Sequence, residues 1–552
     1  MTVRGETVAV AALCLATIVA GWIVADPQTV GLYHDDGIYV ATAKSLAEHG
    51  AYRLINVPGQ PFQTKYPPLY PAGLAAIWRV RPHFPANVSA LKAVNAVLLG
   101  AILAMTWMFS RRAFQWGSPL RVLAIACVAT CLPLFAMADL VMSEPLFIVW
   151  LLGFVIASPS VQEAWTPRRV LWAAAAAAAA ALTRSIGGVL GVVLIVMLVR
   201  RRAFRLACLA LAVFVVPVGV WIWWSTTHRL AEDGVLTYYV QYERNALSWI
   251  LTDPVFGLRI IGANAIFFAA ASGRALGLGG TLLLPMCATF AALATWSHES
   301  RWPVTAVPLA FAYFLVTCTH PFPIPRYLLP LAPLAYLAVV EGSRLLAVSL
   351  AQTTRAGQDP RARMALQWLA PVVVILYHGQ QLYQFRHLTQ DAVHVEEGRP
   401  SGLSKHALQQ TAAWIRRHTM CSDVIAATHD PFYFLYTGRK GVRPWIAKPQ
   451  VYSEMYGRKW VSADPAPAIQ SQLDRLGVTV LVVDRGLPGV ESEYVTEQLR
   501  RLLTDAGSTW IEESIGDSSV RVYRRTAPDP SRPTNTTGTH DVVDSAGVCI
   551  GS

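Results

Sequence analysis

Apolar residues run along this chain in long, almost uninterrupted blocks separated by short polar segments. Blocks of this length are typical of membrane-spanning helices, which need roughly 20 predominantly apolar residues. The first block covers about residues 8–25, and the others lie near residues 87–110, 119–137, 141–158, 170–183, 186–200, 206–226, 276–296, 303–318, 326–350 and 365–382. The pattern predicts a polytopic α-helical membrane protein with about 11 transmembrane helices.

Basic residues cluster in every second loop between the apolar blocks. Arginines cluster near residues 111–121, 168–169, 200–205 and 344–363. Because short loops rich in Lys and Arg stay in the cytoplasm, these clusters predict a cytoplasmic N-terminus and an extracytoplasmic C-terminal region. We expect the first block to remain as a helix, since no convincing signal-peptide cleavage site follows it.

Three longer segments fall on the predicted outer side. Two are loops, residues 26–86 and 227–275, within a transmembrane domain that covers residues 1–384. The third, residues 385–526, alternates helical and strand patterns and predicts an extracytoplasmic α/β domain. Its strands are predicted at residues 424–428, 478–483 and 520–524, and its amphipathic helices at residues 406–418, 468–476 and 494–505. Residues 527–552, rich in Pro, Ser and Thr, predict a disordered tail.

Composition supports a membrane protein and excludes some other classes. Of the 552 residues, 54% are hydrophobic and 14% are charged, whereas soluble domains carry about 25% charged residues. The net charge of +12 lies in topology signals and not in a basic stripe with aromatic residues, which argues against nucleic-acid binding. The eight cysteines form no metal-binding spacing, and the sequence does not decide whether Cys421 and Cys549 pair.

The first outer loop carries two adjacent acids and one lysine. Asp35 and Asp36 precede a predicted helix, where an Asp can cap the free amides of the first turn. The same pair could instead supply a general base and a ligand for a polar group. Lys65 lies just before Pro67 and Pro68, which fix its backbone. A fixed ammonium suits a phosphate, although an interfacial lysine also reaches lipid headgroups.

Further charges lie at the outer ends of predicted spans. Glu144 follows a short turn, where an acid is costly without a partner but also suits the first turn of a helix. Arg184 separates two apolar blocks, as an interfacial arginine in a tight hairpin would. Arg326 opens a span and offers a planar fork to a phosphate oxygen, or extends to the interface. All of these charges fall on one predicted side of the membrane.

A sugar linked to a polyprenyl phosphate would require this combination of charges. The departing phosphate gains charge in the transition state, which Lys or Arg can stabilise. The acceptor hydroxyl is a poor nucleophile, so a carboxylate must take its proton. The lipid tail needs a groove between helices at the membrane interface.

Five short motifs resemble the GT-C class of membrane glycosyltransferases, in the branch with protein O-mannosyltransferases and aminoarabinose transferases. They occur in family order over roughly residues 30–335: Asp35-Asp36-x-x-Tyr39, Lys65 with Pro67-Pro68-Leu69, Ser143-Glu144-Pro145-Leu146-Phe147, Thr183-Arg184, and Arg326-Tyr327-Leu328-Leu329-Pro330. The resemblance implies a GT-C fold and an inverting glycosyltransferase with a lipid-phosphate sugar donor in the plasma (bacterial inner) membrane.

The resemblance also implies roles for individual residues. Asp35 corresponds to the catalytic base or acceptor-binding acid, and Lys65 and Arg326 to ligands of the lipid phosphate. We expect Asp36 and Glu144 to be supporting acids and Arg184 a further phosphate ligand. Candidate residues of the donor or acceptor groove are His34, Tyr39, Tyr66 and Tyr327.

The expected partners are a polyprenyl-phosphate sugar donor, a lipid, glycan or protein acceptor, and membrane lipids. No metal-ligating residue is assigned, the sequence identifies no cofactor with certainty, and the use of a divalent metal stays open. The alternative is a transporter or flippase of a lipid-linked sugar. Such a protein tends to place polar groups near mid-bilayer and to contain repeats, and the sequence shows neither convincingly. The motifs do not identify the sugar or the acceptor.

Overall fold

The computed structural model shows a helical bundle followed by an α/β region. It describes residues 2–160, 163–230, 234–241, 250–275, 277, 305–320, 324–353, 360–388, 395–396, 399–400, 404–445, 466–484, 499–504, 510–513 and 520–525. The predicted span at residues 276–296, apart from residue 277, and the predicted tail at residues 527–552 lie outside these ranges.

Helices dominate the first 388 residues. The α-helices are α1 (Val3–Val24), α2 (Asp35–His49), α3 (Leu69–Val80), α4 (Val88–Ala113), α5 (Ser118–Ala129), α6 (Leu132–Phe135), α7 (Glu144–Ala157), α8 (Pro167–Thr183), α9 (Gly188–Arg200), α10 (Phe204–Thr227), α11 (Thr237–Val240), α12 (Pro254–Ala275), α13 (Ala306–Cys318), α14 (Ala332–Thr353) and α15 (Pro360–Leu388). Short 3₁₀ helices cover Ala136–Asp139, Ser185–Gly187 and Pro325–Leu331.

Several helices are long and apolar enough to cross a membrane. Within the described residues they number five, or six if a pair bent by 60° counts as one span: Val3–Val24, Val88–Ala113, Phe204–Thr227, Pro254–Gly273, Pro325–Ser349, and the pair Ser118–Ala129 with Leu132–Asp139. Shorter apolar helices are Glu144–Ala157, Ser185–Arg200 and Ala306–Cys318. The polytopic helical architecture is thus present, while the predicted number of 11 spans stays a prediction.

Helix α8 shows how the sequence builds the bundle. Thr166 caps its start by accepting a hydrogen bond from the backbone N–H of Arg169 at 3.3 Å, and Pro167 occupies its first turn. The following alanines, 173–181, give the helix a narrow surface, and most of them are buried. Small residues let helix backbones approach closely in membranes. Helix α8 therefore packs tightly between α7 and α10.

The α/β region follows the bundle. Its helices are α16 (Lys405–His418), α17 (Asp430–Thr437) and α18 (Ala466–Arg475). Strands β1 (Val395–Glu396) and β2 (Arg399–Pro400) pair antiparallel. The other strands, β3 (Val424–Ala427), β4 (Gly441–Val442), β5 (Val478–Asp484), β6 (Trp510–Glu513) and β7 (Val520–Arg525), form a sheet in the order β4-β3-β5-β7-β6. The predicted strands, and the predicted helices at residues 406–418 and 468–476, are confirmed to within two residues, the helices as α16 and α18. Of the predicted helix at residues 494–505, residues 494–498 and 505 lie outside the described residues.

The sheet mixes parallel and antiparallel pairs. Strand β3 is parallel to β4 and β5, and β7 is antiparallel to β5 and β6. Helix α16 covers one face, where Leu408 and Ile415 pack with Ile425. The other face packs against Leu473 of α18 and against Ile38 of α2. The first loop of the bundle therefore shares a hydrophobic core with the sheet.

Helix α17 docks directly on the start of α2. A Cβ atom added to Gly37 would lie 2.6 Å from the Cβ of Pro431. Gly31, whose φ is +95°, similarly approaches the backbone of Phe432, since an added Cβ would lie 3.0 Å from its Cα. Only glycine tolerates such a close approach of two backbones. The two glycines therefore fix the first loop against the α/β region.

We predict that Gly37→Ala lowers the free energy of unfolding by about 1–3 kcal/mol, because the added methyl group overlaps Pro431. Gly73→Ala is the matched control, since nothing lies within 4 Å of its added Cβ in helix α3. This control should be neutral or stabilising by about 1 kcal/mol. Thermal unfolding of the purified proteins in detergent measures both changes. Equal stability of the two variants would contradict the close docking of α17 on α2.

Candidate active site

Four charged side chains from separate elements meet at one end of the bundle. Asp35 and Glu144 are the first residues of α2 and α7. Arg184 directly follows α8, and Arg326 lies in the 3₁₀ helix Pro325–Leu331. The sequence placed these residues on one side of the membrane, and the structure brings them into direct contact.

Glu144 lies between the two arginines. Its Oε1 atom is 3.0 Å from Nη1 of Arg184 and 3.1 Å from Nε of Arg326, and its side chain is only 1% exposed. A buried carboxylate is costly unless cations and hydrogen-bond donors compensate it. Glu144 therefore fixes the two guanidinium groups beside each other, although like charges repel.

Asp35 is the more accessible acid. Its Oδ1 atom accepts a hydrogen bond of 2.7 Å from the hydroxyl of Tyr66, and its Oδ2 atom lies 3.4 Å from Nη2 of Arg326. The side chain is 26% exposed. Burial and the neighbouring Asp35 raise the pKa of Tyr66 well above its ordinary value, so the phenol keeps the proton that it donates. Asp35 is thus oriented, yet open to another molecule.

Ser143 connects this cluster to the aromatic residues of the first loop. Its Oγ atom lies 3.1 Å from Nη1 of Arg184 and 3.0 Å from the hydroxyl of Tyr39. The ring of Tyr39 packs 5.1 Å from that of Tyr66. Sequence reasoning did not select Ser143 as a site residue, although its position next to Glu144 in the shared motif was a usable signal.

Asp36 makes its hydrogen bonds within its own loop. Its two carboxylate oxygens accept hydrogen bonds from the backbone N–H groups of Gly31, Tyr33 and Gly37, at 2.8, 2.9 and 2.9 Å. Burial raises the pKa of Asp36 despite these three bonds. The carboxylate holds the loop that leads to Asp35. Its expected role as a supporting acid therefore stays a prediction, with its contacts made to backbone amides.

Lys65 lies on the side of the site that faces α11. Its Nζ atom donates to the carbonyl oxygen of Tyr238 at 2.9 Å and lies 4.1 Å from the ring centroid of the same residue. The residue is 6% exposed. Of the other groove candidates, Tyr327 accepts a hydrogen bond at its carbonyl from Tyr313, and His34 contacts the α/β region.

Within the described part of the chain, no group of three or more His, Cys, Asp or Glu side chains is arranged to hold a metal ion. In the cluster at Asp35 and Glu144, the positions beside the acids are taken by arginine and tyrosine donors.

We predict that Glu144→Gln lowers the free energy of unfolding by about 3 kcal/mol, because it removes the buried charge that two partly buried guanidinium groups share and leaves only Asp35 beside Arg326. Glu163→Gln is the matched control, since Glu163 also pairs with two arginines, Arg112 and Arg169, but is 40% exposed. That change should cost about 1 kcal/mol or less. Thermal unfolding in detergent measures both, and equal losses would refute the special role of the Glu144 cluster.

The comparisons with known proteins rest on structure. The sequence matches no family model and no curated relative. ArnT from Cupriavidus metallidurans in the apo state is similar in structure, with a TM-score of 0.54, 13% identity, and coverage of 94% of this chain and 97% of that chain. The same protein bound to undecaprenyl phosphate has a TM-score of 0.54 and 14% identity, and the match covers 96% of this chain and 99% of that chain.

A second enzyme is also similar. Archaeal oligosaccharyltransferase AglB from Archaeoglobus fulgidus, in complex with an inhibitory peptide and a dolichol-phosphate, has a TM-score of 0.52 and 11% identity. The match covers 85% of this chain and 69% of that chain. At these identities the likenesses show a shared fold: the chain has the fold of ArnT and of AglB, in agreement with the resemblance to GT-C enzymes.

Proposed function

We propose that this protein is a glycosyltransferase that moves a sugar from a polyprenyl-phosphate donor to an acceptor on the extracytoplasmic side of the membrane. The observation that carries the proposal is the partly exposed Asp35 beside Arg326, which the buried Glu144 holds next to Arg184. A general base and a cationic phosphate site are the two elements that this transfer requires.

The transfer is a single displacement that inverts the configuration at the anomeric carbon. The acceptor hydroxyl attacks that carbon while Asp35 removes its proton. The bond between the anomeric carbon and the phosphate oxygen breaks, and the electron pair leaves with the polyprenyl phosphate. Arg326, Arg184 and Lys65 stabilise the charge that develops on the phosphate, and no proton donor is needed for this leaving group.

The remaining residues support this reaction. Glu144 orients the two guanidinium groups, each of which has five N–H donors and keeps several for a phosphate. Tyr66 orients Asp35 through its hydrogen bond. Asp36 holds the backbone of the loop. Tyr39 and Tyr327, close to Ser143 and to Arg326 respectively, contribute to the walls of the groove.

The fold neighbours support a lipid-phosphate ligand. ArnT has been captured with undecaprenyl phosphate, and AglB with a dolichol-phosphate and a peptide. By analogy we assign a lipid-linked donor and a lipid, glycan or peptide acceptor. We place the protein in the plasma (bacterial inner) membrane with its N-terminus in the cytoplasm. Cys421 is disulfide-bonded, which supports an oxidising compartment for the α/β region.

A panel of undecaprenyl-phosphate-linked sugars, incubated with the purified protein and bacterial membrane extracts as acceptors, tests the proposal. We expect labelled sugar to leave one donor class and undecaprenyl phosphate to be released in equal amount. Movement of intact lipid-linked sugar across vesicle membranes without release of the phosphate would instead support a transporter or flippase. Absence of both activities across the panel would also contradict the proposal.

We predict that Asp35→Asn lowers the transfer rate by about 10²- to 10⁴-fold, because the amide cannot accept the proton of the acceptor hydroxyl. Glu48→Gln is the control on the same helix, since Glu48 accepts a hydrogen bond from Trp78 at 2.8 Å, away from the cluster. Initial rates with the active donor measure both variants. Full activity of Asp35→Asn would show that Asp35 is not the base.

We predict that Arg326→Lys weakens the binding of undecaprenyl phosphate by about 10-fold or more, because lysine keeps the charge but loses the planar fork. Lys65→Ala should chiefly raise the KM for the donor. The control is Arg79→Ala, an exposed cation of the same outer segment. Tryptophan fluorescence titration and donor kinetics provide the measurements. Unchanged donor binding and KM would remove the phosphate role from the unaffected residue.

A further inference from the structure

The backbone just before Asp35 is strained. The N–H of Asp35 donates to the carbonyl oxygen of Tyr33 at 2.6 Å, which makes a γ-turn centred on His34 with φ 60° and ψ −59°. A γ-turn with positive φ is rare for a residue with a side chain. Such strain persists only where the surrounding structure imposes it, and it concentrates at functional sites.

The α/β region supplies the contact that holds His34. The Nε2 atom of His34 lies 3.2 Å from Oδ1 of Asp430, the first residue of α17. Their side chains are 7% and 0% exposed. Asp430 is followed by Pro431 and Phe432, which pack closely against Gly37 and Gly31 respectively. One end of α17 therefore contacts the loop on both sides of Asp35.

Burial shifts the protonation of both residues of this contact towards their neutral forms. Burial raises the pKa of Asp430 to about 7. Burial, together with Arg443 and Lys65 nearby, lowers the pKa of His34 well below its ordinary value. The imidazole is therefore neutral at neutral pH, and Asp430 carries a proton for part of the time. An amide at position 430 has nearly the same shape as the carboxyl group and would keep this close contact with His34.

Arg443 of the α/β region and Lys65 of the first loop both contact the ring of Tyr238 next to His34. The guanidinium of Arg443 lies 3.9 Å from the ring centroid of Tyr238, the residue that also receives Lys65. The backbone N–H of Arg443 donates to the hydroxyl of Tyr239 at 2.7 Å. The rings of Tyr238 and Tyr239 both pack against His34. The imidazole is thus enclosed by residues of α11 and of the α/β region.

We propose that Asp430 is a positioning residue for glycosyl transfer: through His34 it fixes the strained turn that aims the carboxylate of Asp35. The inference rests on the function proposed above. It assigns the α/β region a part in the chemical step, beyond docking on the bundle. A misplacement of about 1 Å in a reacting group can cost about 100-fold in rate, so a contact one residue away can act strongly on kcat.

The test compares Asp430→Ala, Asp430→Asn, His34→Asn and the double variant His34→Asn/Asp430→Ala in the full-length protein. We expect Asp430→Ala to lower kcat by about 10- to 100-fold and to leave the donor KM and the binding of undecaprenyl phosphate near wild type. Asp430→Asn should retain most of the wild-type kcat that Asp430→Ala loses. The double variant should be no slower than the slower single variant, because the two residues act through one contact.

The control is Asp474→Ala, which breaks an ion pair of 2.8 Å with Arg525 in the same region, away from the first loop. It should leave kcat unchanged. Wild-type kcat in Asp430→Ala, losses that add in the double variant, or failure of Asp430→Asn to restore kcat would overturn the positioning role. In those cases the wild-type protein still transfers sugar, whereas a wild-type protein that transfers none overturns the proposed function and this inference together.

Discussion

The site depends on one buried carboxylate shared by two arginines. Glu144 brings Arg184 and Arg326 to within 3.1 Å of the same oxygen atom. With Asp35 beside Arg326, the cluster holds two acids and two cations, so its net charge is close to zero before a ligand arrives. That balance keeps the cost of burial low, and it leaves guanidinium N–H groups in place for an anion. The cationic site is thus preorganised, which is the condition for stabilising charge in a transition state.

A second constraint comes from outside the bundle. The loop that carries Asp35 is held from within by the hydrogen bonds that backbone N–H groups donate to Asp36. From outside, it is held by α17. Glycines at positions 31 and 37 permit the backbones to meet. The α/β region therefore belongs to the site architecturally, since its core also includes residues of α2. Loosening this interface should disturb the acid before it disturbs the arginine pair, which Glu144 of α7 holds together.

Much of this organisation follows from the sequence, because each part depends on local patterns. Apolar blocks predict the helices, alternating patterns predict strands β3, β5 and β7, and charge placement predicts that Asp35, Arg184 and Arg326 lie on one side. The number of spans does not follow as directly, because several apolar helices, such as Ala306–Cys318, are too short to identify by length. Periodicity also cannot reveal that Glu144 holds two arginines, since that geometry arises only when α7 and α8 pack.

Other contacts lie beyond any sequence pattern. His34 and Asp430 are far apart in the chain, and neither carries a local signal for the other. The prolines after Lys65 predict a fixed ammonium and the family resemblance implies a phosphate ligand, but the contact with Tyr238 depends on where α11 lies. The sequence is consistent with Asp36 as a helix cap or as a catalytic acid. Only the three hydrogen bonds from backbone N–H groups show how its carboxylate is held.

The central claim is that a lipid phosphate binds at the arginine pair next to Asp35. A cryo-electron microscopy structure of the protein with undecaprenyl phosphate tests this most directly. We predict phosphate oxygens within hydrogen-bonding distance of Arg326, with Glu144 still between the two arginines and Asp35 facing the same cavity. A phosphate bound at the opposite end of the helices, or one that contacts neither arginine, would contradict the claim.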